Sequence, residues 1–143
     1  MSDRYAIRAL IKTGLETAVT LGQAFYAYPE GNIQGQSPVL TVMSAGSERG
    51  DQTFHGLTKT FRYVVTVLVL IHEKSSNTYT YEDAEDLLDQ VEQQIADWVH
   101  TNDTNTNDWI SVQYTAPTSQ GVWDDVSGNT YRYEQIELVV EAR

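Results

Sequence analysis

Histidine is the side chain best suited to bind a metal or move a proton near neutral pH, and this sequence has three. They are His55, His72 and His100. None has the His-Glu-x-x-His spacing that places two imidazoles on one side of a helix. His72-Glu73 together with Asp124-Asp125 could supply metal ligands, but adjacent side chains of a strand point apart, and turn formation is the favoured interpretation of the aspartates. We therefore predict no metal site and no cofactor.

Nucleophilic catalysis is equally weakly indicated. The chain contains no cysteine, which excludes disulfides, thiolate metal sites and cysteine nucleophiles. No serine stands in a Gly-x-Ser-x-Gly motif, and the glycines match neither a phosphate-binding loop nor a dinucleotide fingerprint. The sequence predicts that the protein is not an enzyme.

Negative charge is concentrated in the second half of the chain. The formal net charge is −11, and residues 80–143 carry 14 acidic but only 2 basic residues. An acidic surface argues against ordinary nucleic-acid binding, which needs basic groups against phosphates. Two interpretations stay open, a solvated face that keeps the protein soluble and a surface that repels another polyanion.

Membrane insertion and secretion are not indicated. The longest apolar run, Val64–Ile71, is much shorter than the roughly 20 residues that cross a bilayer. Lys12 and Glu16 interrupt any apolar segment near the N-terminus that could serve as a signal peptide. We expect a protein that acts or is assembled in a cytoplasm.

Apolar residues spaced by three and four predict two amphipathic helices, over residues 3–21 and 81–100. Ser2 and Thr80 are the expected N-caps, and Gly22 is the expected stop of the first helix. Alternating patterns predict four strands, at 38–43, 59–73, 109–115 and 130–141. In the strand at 109–115, Ile110, Val112 and Tyr114 are expected to share one face. In the last strand the expected inward residues are Ile136, Leu138 and Val140.

Two long polar, glycine-containing segments separate these elements. Residues 44–58 are interpreted as a mobile loop or hairpin tip, and residues 116–129 as a mobile connection. The whole chain, residues 1–143, is expected to form one domain. The order of elements predicts an α+β fold, with a mostly antiparallel sheet of four or slightly more strands and two helices packed on one face.

The strand predicted at 59–73 is apolar on both faces in its second half. Because two helices can cover only one face of such a sheet, another subunit or a folded-back loop must cover the other, and self-association is favoured. Aromatic residues suit a subunit interface, in which the adjacent arginines Arg62 and Arg132 would pair with acids of the neighbouring subunit. The candidates are Phe61, Arg62, Tyr63, Tyr131, Arg132 and Tyr133.

The layout as a whole resembles the tail terminator, or tail-completion, proteins of long-tailed bacteriophages. The resemblance spans nearly the whole chain and rests on the N-terminal amphipathic helix and a final tyrosine-rich strand. Four segments between them carry the rest: Ser-Pro-Val-Leu-Thr-Val (37–42), Phe-Arg-Tyr-Val-Val-Thr-Val-Leu-Val-Leu (61–70), Tyr-Glu-Asp-Ala-Glu-Asp-Leu-Leu-Asp (81–89) and Val-Trp-Asp-Asp (122–125).

This resemblance implies a structural virion protein of the tail and neck. It would form a homo-hexameric ring at the head-proximal end of the tail tube, end tube polymerisation and dock the tail to the head connector or closure protein. The tail tube protein would be its other partner, and DNA would pass through the ring without specific binding. Two alternatives stay open, a head-closure or connector-adaptor protein of the neck and an acidic module that mimics DNA.

Two further sets of residues acquire expected roles from the resemblance. A loop that orders against a partner would contain Ser47, Glu48, Arg49, Asp51 and His55. Acids that could line a channel for DNA are Glu82, Asp83, Asp86, Asp124 and Asp125.

Overall fold

A computed structural model describes residues 3–28, 36–52, 56–72, 81–103, 109–124, 126 and 128–142. In chain order the elements are α1 (Arg4–Ala18), β1 (Ala24–Tyr26), β2 (Val39–Gln52), β3 (Gly56–His72), α2 (Tyr81–Thr101), β4 (Trp109–Asp124) and β5 (Thr130–Ala142).

The described strands form one sheet with the order β1-β2-β3-β5-β4. Only β1 and β2 run parallel, and the other three neighbouring pairs are antiparallel. The predicted α+β class with a mostly antiparallel sheet is therefore confirmed, and the sheet has five strands. The short β1 was missed, because three residues are too few to show an alternating pattern.

Helix α1 begins one residue later than predicted and is capped by Asp3, whose carboxylate accepts a hydrogen bond from the Ala6 amide at 2.8 Å. The expected cap, Ser2, lies outside the described residues. The helix ends at Ala18 rather than at residue 21, and Val19 is its C-cap. Its buried residues follow the predicted three-four spacing: Ile7, Ile11 and Leu15.

Helix α2 extends one residue beyond the predicted range, to Thr101. Its predicted apolar stripe is confirmed by the buried residues Ala84, Leu88, Val91, Ile95, Trp98 and Val99. The two helices touch where the Trp98 indole covers Gly14, so closely that a Cβ at Gly14 would stand 2.6 Å from the ring. Glycine is therefore needed at this position of α1 despite its low helix propensity.

The prediction of a loop at 44–58 is wrong for most of that segment. Residues 44–52 belong to β2 and residues 56–58 to β3, and these strands pair from Val39↔Leu68 out to Gln52↔Gly56. The alternative of a hairpin tip is closer, although only residues 53–55 separate the strands. A register shift between Ser44 and Gly46, where Gly46 has φ +145°, accommodates the irregular pattern that suggested a loop.

Strand β4 is also longer than predicted, because residues 116–124 continue it instead of forming a connection. Register shifts against β5 lie between Trp109 and Ser111 and between Thr115 and Ser119. The first shift turns Trp109 inward, where it is buried like Val112, while Ile110 is 43% exposed. The prediction that Ile110 shares a face with Val112 is therefore wrong.

Buried apolar residues form two separate clusters. The larger one joins residues of α1 and α2 with alternate residues of the strands, among them Phe61, Val65, Ile136, Leu138 and Val140. The second consists of Val39, Leu68 and Tyr131, with Ala24, Tyr26, Leu70, Trp123 and Tyr133 packed against it. No residue of the second cluster within the described ranges comes from a helix.

Candidate interaction surfaces

The second cluster marks a sheet surface that we call the second face. Because strand side chains alternate, the residues of β3 that share this face with Leu68 are Arg62, Val64, Thr66 and Leu70. Opposite them on β5 stand Tyr131, Tyr133, Gln135, Glu137 and Val139. At one end aromatic rings dominate, where Trp123 and Tyr131 lie with their centroids 5.8 Å apart. The other end is charged.

The charged end of the second face centres on Arg62. Its guanidinium contacts Glu137 at 2.9 Å and Glu48 at 3.5 Å. All three side chains are substantially exposed, so each contact is weak in water. Arg62 was expected to pair with acids across a subunit interface, whereas it already pairs with two carboxylates of its own chain.

Phe61 and Tyr63 lie in the larger cluster, not on a surface. Both are 0% exposed, and the Tyr63 hydroxyl donates to the Arg4 carbonyl oxygen at 2.8 Å. The expectation that they contribute to subunit contacts is therefore wrong. The pattern correctly identified two apolar faces of β3, but Phe61 and Tyr63 lie on the face that is buried in the larger cluster, not on the face of Arg62.

Burial raises the pKa of Tyr63 above the ordinary value of 10.0, although Arg4 and Arg8 oppose the rise. Tyr114 behaves similarly. Burial first, then the nearby Glu92 carboxylate, raises its pKa, and its hydroxyl donates to Glu92 Oε1 at 3.0 Å. Both phenols therefore keep their protons at neutral pH, and neither supplies a base there.

The predicted interface residues of β5 have three different environments. Tyr131 is 0% exposed within the second cluster, so it cannot present its ring to a neighbour. Tyr133 is half-buried and lies over Gly121, where a Cβ would stand 2.5 Å from the phenol oxygen. Tyr133 is therefore the member of this set that lies on the second face and is still partly exposed.

Arg132 faces α2, and its side chain is bound by residues of its own chain. Its guanidinium donates to both carboxylate oxygens of Glu85, at 3.0 and 3.3 Å. It also donates to Gln120 Oε1 at 2.6 Å and to the Gly121 carbonyl oxygen at 3.1 Å. The expectation that Arg132 pairs with an acid of another subunit is therefore contradicted, because its donors are already engaged.

The residues expected in a partner-contacting loop lie along the β2–β3 hairpin. Ser47 accepts from Arg4 Nη1 at 2.9 Å, and the Arg49 guanidinium lies 5.1 Å from the Phe61 ring centroid. Glu48 contacts Arg62. The backbone of Asp51 pairs with Leu57, and His55 lies outside the described residues.

The candidate channel acids are exposed where the structure describes them. Glu82, Asp83 and Asp86 occupy the first turns of α2, and Asp124 ends β4 and accepts from the Thr130 hydroxyl at 2.7 Å. Asp125 is outside the described residues.

The buried carboxylate of Glu134 accepts a hydrogen bond from the Thr118 hydroxyl. The sequence did not single it out, because the inward positions of an alternating strand usually hold apolar residues.

No group of three or more histidine, aspartate or glutamate side chains in the described ranges is arranged to hold a metal ion. Of the three histidines, His100 is exposed at the end of α2, and the side chains of the other two are not described. None of the helices described is both long and apolar enough to cross a membrane.

Comparison with known proteins leaves the chain without an assigned family. The sequence matches no protein-family model and none of the curated proteins.

Proposed function

We propose that this chain is a structural, non-enzymatic virion protein that forms a ring at the head-proximal end of a phage tail tube. There it ends tube polymerisation and docks the tail to the head connector. We also propose that both helices cover a single face of the sheet, so that the second face is left for neighbouring copies. The composition of the two apolar clusters supports this arrangement.

The observation that carries the proposal is the second face itself. It joins an aromatic end, around Tyr133 and Trp123, to a charged end around Arg62, and no described helix contributes to its cluster. Aromatic and apolar residues bordered by partly exposed charges are typical of protein interfaces. We therefore propose that the interface lies on the second face, at Val64, Thr66 and Val139, instead of at Phe61 and Tyr63.

Acidic side chains support the role of the ring around DNA. Glu82, Asp83 and Asp86 are exposed on one end of α2. Each basic contact to a phosphate retains DNA, so a channel that lets DNA slide is better lined by acids. We propose that some of these carboxylates face the channel.

Substitution at the centre of the second face tests the proposal. Thr66 and Gln135 are register partners there, and both are half-buried. Thr66→Lys adds a charge that the monomer can turn to solvent but that a subunit contact would have to bury. We expect it to abolish rings in electron micrographs of the protein mixed with tail tubes. Thr13→Lys, the same change at an exposed position of α1, should leave rings intact.

Equal ring formation by both variants, or a wild-type protein that neither forms rings nor binds tail tubes, would contradict the proposal. Circular dichroism of Thr66→Lys separates lost assembly from lost folding.

A lysate of phage that lacks the gene for this protein distinguishes a terminator from a head-closure protein of the neck. Loss of a terminator gives overlong tails, whereas loss of a closure protein gives normal tails beside heads that leak DNA. Tight, salt-sensitive binding to a basic host protein would instead favour a DNA mimic.

A further inference from the structure

A groove lies between the first turns of α2 and the outer half of β4. Its volume is about 530 Å³ and its lining is mostly apolar, supplied by Ile71, Ala84 and Val122. Val122 is 59% exposed. Since β4 is the outermost strand of the sheet, no other described strand covers this side of it. We call this feature the α2–β4 groove.

Charges at the rim of the groove are unbalanced. Its charged lining residues are Glu82, Glu85, Asp86 and Arg132. Arg132 is neutralised by Glu85 through two hydrogen bonds and stays in place through its contacts to Gln120 and Gly121. Within the described residues Glu82 and Asp86 form no ion pair, since Arg132, the cation of this groove, is bound to Glu85. One fixed ion pair and two unpaired carboxylates therefore surround an apolar floor.

We propose that the α2–β4 groove binds an extended segment of a partner protein in which apolar side chains alternate with arginine or lysine. The apolar side chains would cover Val122 and the floor, while the cationic heads reach Glu82 and Asp86. The aliphatic stem of arginine or lysine suits such a site, because it packs on apolar surface and leaves the charge in water. This binding does not require ring formation, since the groove lies within one copy of the chain.

An anionic or uncharged partner fits the groove less well. The partial positive charge at the start of a helix amounts to about half an elementary charge. Two unpaired carboxylates outweigh it, and Asp83 adds a third acid on the same turns. An anion would also have to compete with Glu85 for Arg132, whose donors are already engaged.

Three peptides test the proposal in amide chemical-shift titrations of the whole labelled protein. The probe is acetyl-Leu-Arg-Leu-Arg-Leu-amide. Acetyl-Leu-Gln-Leu-Gln-Leu-amide removes the charge, and acetyl-Ser-Arg-Ser-Arg-Ser-amide removes the apolar side chains. We expect the probe to shift amides around Ala84, Val122 and Arg132, and each control peptide to bind at least about fivefold more weakly.

Two double variants with equal charge change locate the site. Glu82→Gln/Asp86→Asn should weaken the probe about fivefold, which is the loss of two partly exposed charge contacts. Asp83→Asn/Asp89→Asn removes two exposed carboxylates of the same helix that do not line the groove, and should change affinity less than twofold. Both variants change exposed side chains, and circular dichroism checks their helix content.

Four results of the peptide titrations would overturn the proposal. The first is that the uncharged peptide binds as tightly as the probe, and the second is that both double variants weaken the binding of the probe equally. The others are shifts only of amides outside the groove and no amide shifts up to about 5 mM probe. Equal weakening would indicate attraction to the acidic surface in general. If the groove amides shift with protein concentration alone, the occupant is a second copy of this chain and the proposal is wrong.

Discussion

Tyr63 shows how a single side chain can be assigned correctly to a strand and wrongly to a surface. It was an interface candidate because aromatic residues are common in interfaces. In the structure its ring is buried in the larger cluster, and its hydroxyl reaches the backbone of Arg4 at the start of α1. Tyr63 therefore connects β3 to α1, and it stabilises the core instead of contacting a partner.

The titration of Tyr63 provides a prediction at this scale. Because burial raises its pKa, folded and unfolded chains both hold the proton below the ordinary pKa of 10.0. Above that pH the unfolded chain loses the proton first. We therefore expect the free energy of unfolding to fall above pH 10, by up to about 1.4 kcal/mol per pH unit from this residue. Urea unfolding at a series of pH values measures the fall.

Phenolate absorbance provides the matched control. Tyr63→Phe should remove one of the late-ionising phenols of the folded protein. Tyr5→Phe, at a position that is 71% exposed, should leave the late-ionising phenols in place. Ionisation of Tyr63 near pH 10 in the folded protein would show that its hydroxyl is accessible to water and contradict its place in the core.

At the scale of elements, Arg132 connects α2 to β5 and β4. It stands on β5, binds Glu85 of α2 through two hydrogen bonds and contacts β4 at Gln120 and Gly121. Its side chain is only 18% exposed. Arg62 also contacts two carboxylates, but it is 40% exposed and lies on the second face.

These two arginines should differ in their contributions to stability. Arg132→Met keeps most of the apolar stem and removes the donors, and we expect it to lower the free energy of unfolding by about 1–3 kcal/mol. Arg62→Met should lower it by less than about 1 kcal/mol, because its partners are exposed. Urea denaturation of both variants measures the difference. Equal losses would indicate that the contacts of Arg132 are no stronger than those of a surface pair.

The sequence predicted elements well where one residue pattern dominates. The α2 stripe from Ala84 to Val99 and the inward residues Ile136, Leu138 and Val140 of β5 follow directly from periodicity. The prediction of strands failed where the residue pattern is interrupted. Glycines at 46, 50 and 56 and the polar stretch at 116–129 were interpreted as loop signals, although a register shift lets a strand continue past such residues. Sequence periodicity does not contain this pairing information.

Candidate sites were harder to predict than elements for a related reason. An alternating strand defines two faces, but only the tertiary structure decides which one meets the helices. Arg62 was the available signal, since a charged residue seldom occupies the buried face. The α2–β4 groove had no signal of its own, because Ile71, Ala84 and Val122 lie far apart in the sequence.

At the scale of the whole molecule, net charge is the property that governs association. Copies that each carry −11 repel one another, and salt screens this repulsion. We therefore expect ring assembly on the second face to strengthen between about 0.05 and 0.5 M NaCl. Sedimentation velocity at fixed protein concentration measures it.

Binding of the arginine peptide in the α2–β4 groove should weaken over the same range of salt, because there the charges attract. The two processes therefore respond to salt with opposite signs. Rings that dissociate as salt rises would contradict the expected repulsion and indicate that contacts such as Arg62–Glu137 are made between copies.

The placement of β5 between β3 and β4 constrains the order in which this chain can fold. Strands β2 and β3 can pair as soon as both have been synthesised, since only three residues separate them in the sequence. Strand β4 cannot do the same, because its described partner is β5, which follows it in the chain. Until β5 inserts between β3 and β4, one edge of β3 stays unpaired and can pair with a wrong partner. Dependence on chaperones during synthesis should be greatest in that interval.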